Sequence, residues 1–271
     1  MTEIINSTAN PRIRNIIKLG TNSRERRLQN IFIIEGYREI SRALVSGIII
    51  KELYVCTDLD KKGWSEELKK LSGGITIFEV GLAAFNRIAY REGSDGLIAV
   101  ALPRKLGLED LKLSPNPLIL IVESVEKPGN LGAIMRTADA AGIDAVIICD
   151  PLADIYNPNT IRSGVGCVFT KQIVSTTTKE AFVWLKMNKI TIYAAALSES
   201  ALLYHQIDFC KPTAIVMGTE ATGLSGEWLE NSDAQIIIPM KGIADSLNVS
   251  TSAAILVFEA IRQREAIPLV T

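Results

Sequence analysis

Leu118-Ile119-Leu120-Ile121-Val122 runs directly into Glu123-Ser124-Val125-Glu126-Lys127-Pro128-Gly129-Asn130-Leu131-Gly132, and a helical pattern follows over 131–141. Five consecutive apolar residues leave a strand no polar face, so it needs cover on both sides. Parallel sheets with crossover helices supply that cover. The alternation continues downstream, with strands expected over 145–149, 172–174, 191–195, 214–217 and 235–238. Helices are expected near 159–165, over 180–187 and from about 249 to 262. Strands alternating with helices indicate an α/β fold with a mostly parallel sheet.

Upstream, short strands over 31–34, 50–55, 75–78 and 97–101 alternate with helical patterns over 37–45, 64–71 and 82–88, with Gly36 and Gly47 as turn residues. This reads as a smaller α/β domain over 1–103. Residues 104–116, with Gly107 and Pro115 among charged side chains, read as a linker, and 117–271 as the larger domain. A chain of 271 residues is the usual length for two domains.

No apolar run approaches the ~18 residues of a membrane span, and residues 1–10 lack the apolar segment of a secretory signal. A cytoplasmic protein is expected. Cys56, Cys149, Cys167 and Cys210 form no C-x-x-C pair, and His205 is the only histidine, so no metal site is expected. Cys149 and Cys167 sit among apolar or small residues and read as buried thiols.

The net charge of −1 conceals an asymmetry: residues 1–50 carry +4 and residues 117–271 carry −5. Arg12, Arg14, Lys18, Arg24, Arg26 and Arg27 form a basic run interspersed with Asn15, Asn22 and Ser23. Such a run can hold phosphates through guanidinium contacts; the alternative is a solvated helical face.

In open α/β sheets ligands bind beyond the carboxyl ends of strands, where this chain has three polar, glycine-containing loops. The first is 123–132, leading into the helix with Arg136. The second is 217–225, and the third is 238–248. None contains G-x-G-x-x-G. Gly218 and Gly223 have the spacing of a phosphate loop, but Leu224 replaces its lysine and Glu220 would repel phosphate. Dinucleotide and ATP sites are therefore not supported.

Together the three loops resemble the motifs of the SpoU (TrmH-type) branch of the SPOUT RNA methyltransferases. The first pattern is Asn130, Gly132 and Arg136; the second is Gly218, Glu220, Gly223, Leu224 and Ser225; the third is Ile238, Pro239, Met240, Ser246, Leu247, Asn248, Val249 and Ser250. Thr251-Ser252, just after the third, is more polar than the family pattern. Residues 10–101 resemble the family's N-terminal substrate-binding domain, which is akin to RNA-binding ribosomal proteins. The marks are Arg24-Glu25-Arg26-Arg27, Glu35-Gly36 and Asp95-Gly96-Leu97.

The resemblance implies a trefoil-knotted C-terminal domain, a homodimer, and transfer of the S-adenosylmethionine methyl group to a ribose 2′-hydroxyl of RNA. Ribosomal RNA is the favoured substrate, with transfer RNA or an inactive RNA-binding module as rivals. It further implies that Gly218, Ile238 and Leu247 hold the adenosine part of the cofactor; Met217 and Met240 would add polarizable wall, the alternative being ordinary strand-end core residues. Catalytic positions would be Arg136, Asn130, Glu220, Ser246 and Asn248, and RNA contacts Arg24, Arg26, Arg27 and Arg162.

Overall fold

The computed structural model describes residues 4–72, 74–90, 93–219 and 222–265. They form two compact units: Met1–Arg104 with Asp154–Thr170, and Lys105–Ala153 with Lys171–Thr271.

The first unit contains α1 (Pro11–Thr21), α2 (Ser23–Gln29), β1 (Phe32–Glu35), α3 (Tyr37–Val45), β2 (Ile50–Val55), α4 (Trp64–Ser72), β3 (Thr76–Glu79), α5 (Leu82–Ile88) and β4 (Leu97–Ala101). Its sheet has the order β1-β4-β2-β3, with only the β2–β3 pair parallel. The basic run folds as α1 and α2. Asn10 caps α1, Pro11 opens it, and Ile13, Ile16 and Leu19 are buried at helical spacing.

The second unit contains β5 (Leu118–Glu123), α6 (Pro128–Ala140) and β6 (Ala145–Cys149). The chain then passes into the first unit as α7 (Pro158–Ser163) and α8 (Cys167–Thr170). It returns as β7 (Gln172–Thr176), α9 (Thr178–Met187), β8 (Thr191–Ala195), β9 (Leu202–Leu203), β10 (Thr213–Met217), α10 (Gly226–Asn231), β11 (Ala234–Ile237) and α11 (Val249–Glu265). The seven-stranded sheet has the order β7-β6-β5-β10-β8-β11-β9, and every pairing is parallel. All six residues of β5 are buried, as an apolar strand covered on both faces requires.

The structure departs from the sequence reading at segment 154–170, which packs in the smaller unit and not with the rest of 117–271. Arg26 is 5% exposed and donates from Nε to Asp154 at 2.7 Å and from Nη1 to the Leu19 carbonyl at 2.5 Å. Phe32 stacks on Tyr156 at 4.2 Å and lies 6.0 Å from Phe169. A fragment starting at residue 105 would carry Tyr156 and Phe169 without these partners, so the larger unit is not a contiguous piece of chain. Arg26, expected on RNA, is thereby corrected to a buried structural cation.

A second difference concerns the first loop. Pro128 at the first helical position starts α6 three residues before the expected boundary, so Asn130 is helical and not in a loop.

Candidate functional site

The carboxyl ends of β8, β10 and β11 lie side by side, with Met217 of β10 in register with Ala195 of β8 and Ile236 of β11 paired to the same Ala195. Beyond them lies a cavity of about 410 Å3, bordered on one side by the loop before α11 and that helix's first turns. Met217, Gly218, Ile238, Met240 and Leu247, all expected on the cofactor side, line this one cavity together with Ser246.

The second loop owes its shape to its own backbone. Thr219 and Gly223 exchange two backbone hydrogen bonds of 3.1 Å, and the Thr219 hydroxyl accepts from the Thr222 amide at 2.9 Å. A Cβ on Gly218 would lie 2.3 Å from the Gly223 carbonyl carbon and oxygen, so residue 218 must be glycine for the loop to close. Gly223 has φ +69°, which favours glycine for a separate reason. Leu224 is buried in the core beneath the cavity. Glu220 lies outside the described residues.

Asn248 joins the third motif to the first. Its Oδ1 accepts from the Ser250 amide at 3.0 Å, capping α11, while its Nδ2 donates to Asn130 Oδ1 at 3.2 Å. Arg136 is exposed on α6, its side chain makes no hydrogen bond or ion pair among the described residues, and it does not line the cavity. Six residues separate it from Asn130, about 9 Å along the helix and roughly a third of a turn round its axis. A single chain therefore brings together Asn130, Asn248 and the cavity wall, with Arg136 standing off them. Arg24, Arg27 and Arg162 are exposed in the first unit.

The sequence reading omitted the wall formed by Ala195, Ala196, Leu197 and Ser198 at the exit of β8, and Asp245 in the third loop. The expected end of the 191–195 strand was the available signal. Ser198 donates to Gln235 at 2.6 Å, tying this exit to β11. Cys56, Cys149 and Cys167 are buried, and burial, with the charges of Asp150 and Glu123 adding, pushes the Cys149 thiol up to about 12. It stays protonated and is no nucleophile at neutral pH.

Residues 117–258 match the SpoU rRNA Methylase family, and residues 10–99 match the MRM3-like substrate binding domain. The chain belongs to the SpoU rRNA methylase family. Relatives of this SpoU chain include the 23S rRNA (guanosine(2553)-2′-O)-methyltransferase RlmP of Bacillus subtilis. The two are 34% identical, over 94% of this chain and 97% of that protein. The tRNA (guanosine(18)-2′-O)-methyltransferase of Thermus thermophilus is 40% identical, over 59% of this chain and 83% of that protein. Among solved structures, the AdoMet-bound rRNA methyltransferase from Sinorhizobium meliloti superposes with a TM-score of 0.87 at 29% identity. That match covers 96% of this chain and 97% of the other.

Proposed function

We propose that this chain is an S-adenosylmethionine-dependent enzyme that methylates a ribose 2′-hydroxyl of RNA, with ribosomal RNA as substrate. The observation that carries the reading is the single cavity in which Met217, Gly218, Ile238, Met240 and Leu247 meet. Its volume lies within the range of small-ligand sites, and its walls are apolar with a few polar groups, as an adenosine moiety requires. When bound, S-adenosylmethionine supplies a methyl made electrophilic by its sulfonium.

The remaining work falls to the chain's own residues. Ile238 and Leu247 give apolar contact to the adenine, with Met217 and Met240 as polarizable wall. Ser246, Asn130 and Asn248 orient the ribose and hold the third loop, the last two through their mutual hydrogen bond. Glu220 belongs with them by its place in the second motif. Arg136 places its planar, permanently charged fork against the RNA phosphate and the oxygen that gains negative charge.

The homodimer is part of this reading. Arg136 stands outside the single-chain cavity, and Phe258 on α11 is 48% exposed, so a second protomer can both complete the site and cover apolar surface. The trefoil knot is part of it too, supported by the chain path. After β11, two strands out from β10, the chain returns to pack α11 against α6 and β10. A cytoplasmic location follows from the RNA substrate.

Ribosomal RNA is favoured over transfer RNA because the ribosomal relative aligns along both units, whereas the transfer RNA relative covers 59% of the chain. The test uses the full chain. It should bind S-adenosylhomocysteine in calorimetry, and mapping of 2′-O-methyl marks on total RNA with and without the protein should reveal a new ribosomal site. A new mark confined to transfer RNA would reverse the choice of substrate, and no new mark would overturn the activity.

The first unit supplies RNA affinity through Arg24 and Arg27, with Arg162 as a further phosphate contact. Replacing Arg24 and Arg27 by glutamine should lower the slope of log K against log salt by about two units on duplex RNA, somewhat less on single strands. Cofactor affinity should not change. An unaltered slope would mean that α2 presents a solvated face.

A further inference from the structure

Glu123, the last residue of β5, is 5% exposed, yet every donor to it among the described residues is neutral. Its Oε1 accepts from the Thr178 hydroxyl at 2.8 Å and the Ser225 hydroxyl at 2.7 Å, and its Oε2 from the Ser225 amide at 2.7 Å. Thr178 is the first residue of α9, and Ser225 immediately precedes α10, so the carboxylate ties two helix starts to the end of β5. Burying a carboxylate is costly unless its oxygens are satisfied. Here three donors converge on an acceptor-only group, and its charge strengthens each bond.

The location gives this arrangement a function. The pocket loop leaves the sheet at Met217, which is in register with Val122, and ends at Ser225, which Glu123 holds. Two consecutive residues of β5 thus hold both ends of the loop. Between those ends Thr219 and Gly223 exchange backbone hydrogen bonds, and Gly223 and Leu224 face the cavity. Displacing Ser225 would shift that wall with it.

We infer that Glu123 is a positioning residue that sets the cofactor pocket by clamping the far end of the 218–224 loop through Ser225. The inference rests on the reading of the cavity as the S-adenosylmethionine site. Glu123 reaches the reaction only through the loop it holds, so its loss should appear in cofactor affinity and not in the chemical step.

The experiment compares full-length wild type with Glu123→Gln and Ser225→Ala by calorimetry with S-adenosylhomocysteine, steady-state methylation and thermal unfolding. In Glu123→Gln either the new NH2 group faces the Ser225 amide, or it turns onto the two hydroxyls, which must then accept instead of donate; in both cases the charge-assisted bonds of the clamp are lost. The Kd should rise about tenfold or more, with a matching rise in KM for S-adenosylmethionine. Turnover at saturating cofactor and RNA affinity should stay within about twofold. Ser225→Ala keeps the amide bond to Oε2 and loses one hydroxyl bond, so its Kd should rise by about threefold.

A folded Glu123→Gln variant with unchanged Kd and lowered melting temperature would reduce Glu123 to a packing role and overturn the proposal. If that variant does not fold, an unchanged Kd for Ser225→Ala overturns it alone. A wild-type chain that binds no S-adenosylhomocysteine would overturn the parent reading along with it. Wild-type binding that both variants match would overturn only the role of Glu123.

Discussion

Arg136→Ala should lose methyl transfer by about a hundredfold or more at saturating cofactor, with the Kd for S-adenosylhomocysteine within about twofold of wild type. The two halves of this expectation have separate grounds. Arg136 does not line the cavity, so removing it leaves the cofactor wall untouched. It is also exposed and without an ion pair among the described residues, so its five donors are available to RNA. A guanidinium keeps its proton at any physiological pH, which makes it a stabiliser of the developing alkoxide and a phosphate clamp in preference to a base.

Arg136→Lys should also fail, because a point charge cannot reproduce a planar, two-pronged contact. Single-turnover rates with both variants check the argument. Wild-type rates for the lysine variant would show that charge alone matters. A large loss of cofactor affinity in Arg136→Ala would place the side chain in the cofactor site instead.

Arg26→Ala should destabilise the protein by about 3 kcal/mol, the low end of the range for breaking a buried ion pair. For a chain of this size that is a fall of roughly 6 to 12 °C in melting temperature. The Arg26 side chain is 4% exposed and the Asp154 side chain 17%, so the substitution strands a largely buried carboxylate and removes a donor from the Leu19 carbonyl. The salt dependence of RNA binding should be unaffected, in contrast to the Arg24 and Arg27 substitutions. A variant with wild-type thermal stability and a reduced salt slope would restore Arg26 to the RNA surface.

The difference between these arginines shows what could be read locally. Arg24, Arg26 and Arg27 are equivalent as a charge pattern, and all three suggest phosphate. Arg26 is set apart by a carboxylate 128 residues away in sequence, and periodicity within α2 contains no trace of it. Segment 154–170 reads as an ordinary crossover between two parallel strands for the same reason. Its aromatic partner Phe32 lies in β1, in the sheet of the unit that the segment joins.

The glycines of the second motif divide in the same way. Gly223 adopts a positive φ that a glycine in a tight loop already suggests, whereas Gly218 is required by the backbone of residues 223 and 224 folding over it. Glu123 shows the limit most clearly. As a glutamate ending an apolar strand it looks like the first polar residue of a loop. Folding turns it inward, because Thr178 and Ser225 bring three donors to one point.

By itself the sequence determined the α/β alternation, the parallel character of the large sheet and the three loops beyond its strands, while the cofactor-side residues within those loops came from the motif resemblance. Each of the first three follows from a local cause: an apolar run with no polar face, or a polar, glycine-containing break at a strand's carboxyl end. The tertiary structure decided the strand order, the transfer of 154–170 to the smaller unit, the burial of Arg26 and the clamp at Glu123. It also decided that Arg136 stands clear of the cavity wall. These depend on which distant groups meet, because the cost of burying a charge or closing a loop is set by partners that only the folded chain brings within hydrogen-bonding distance.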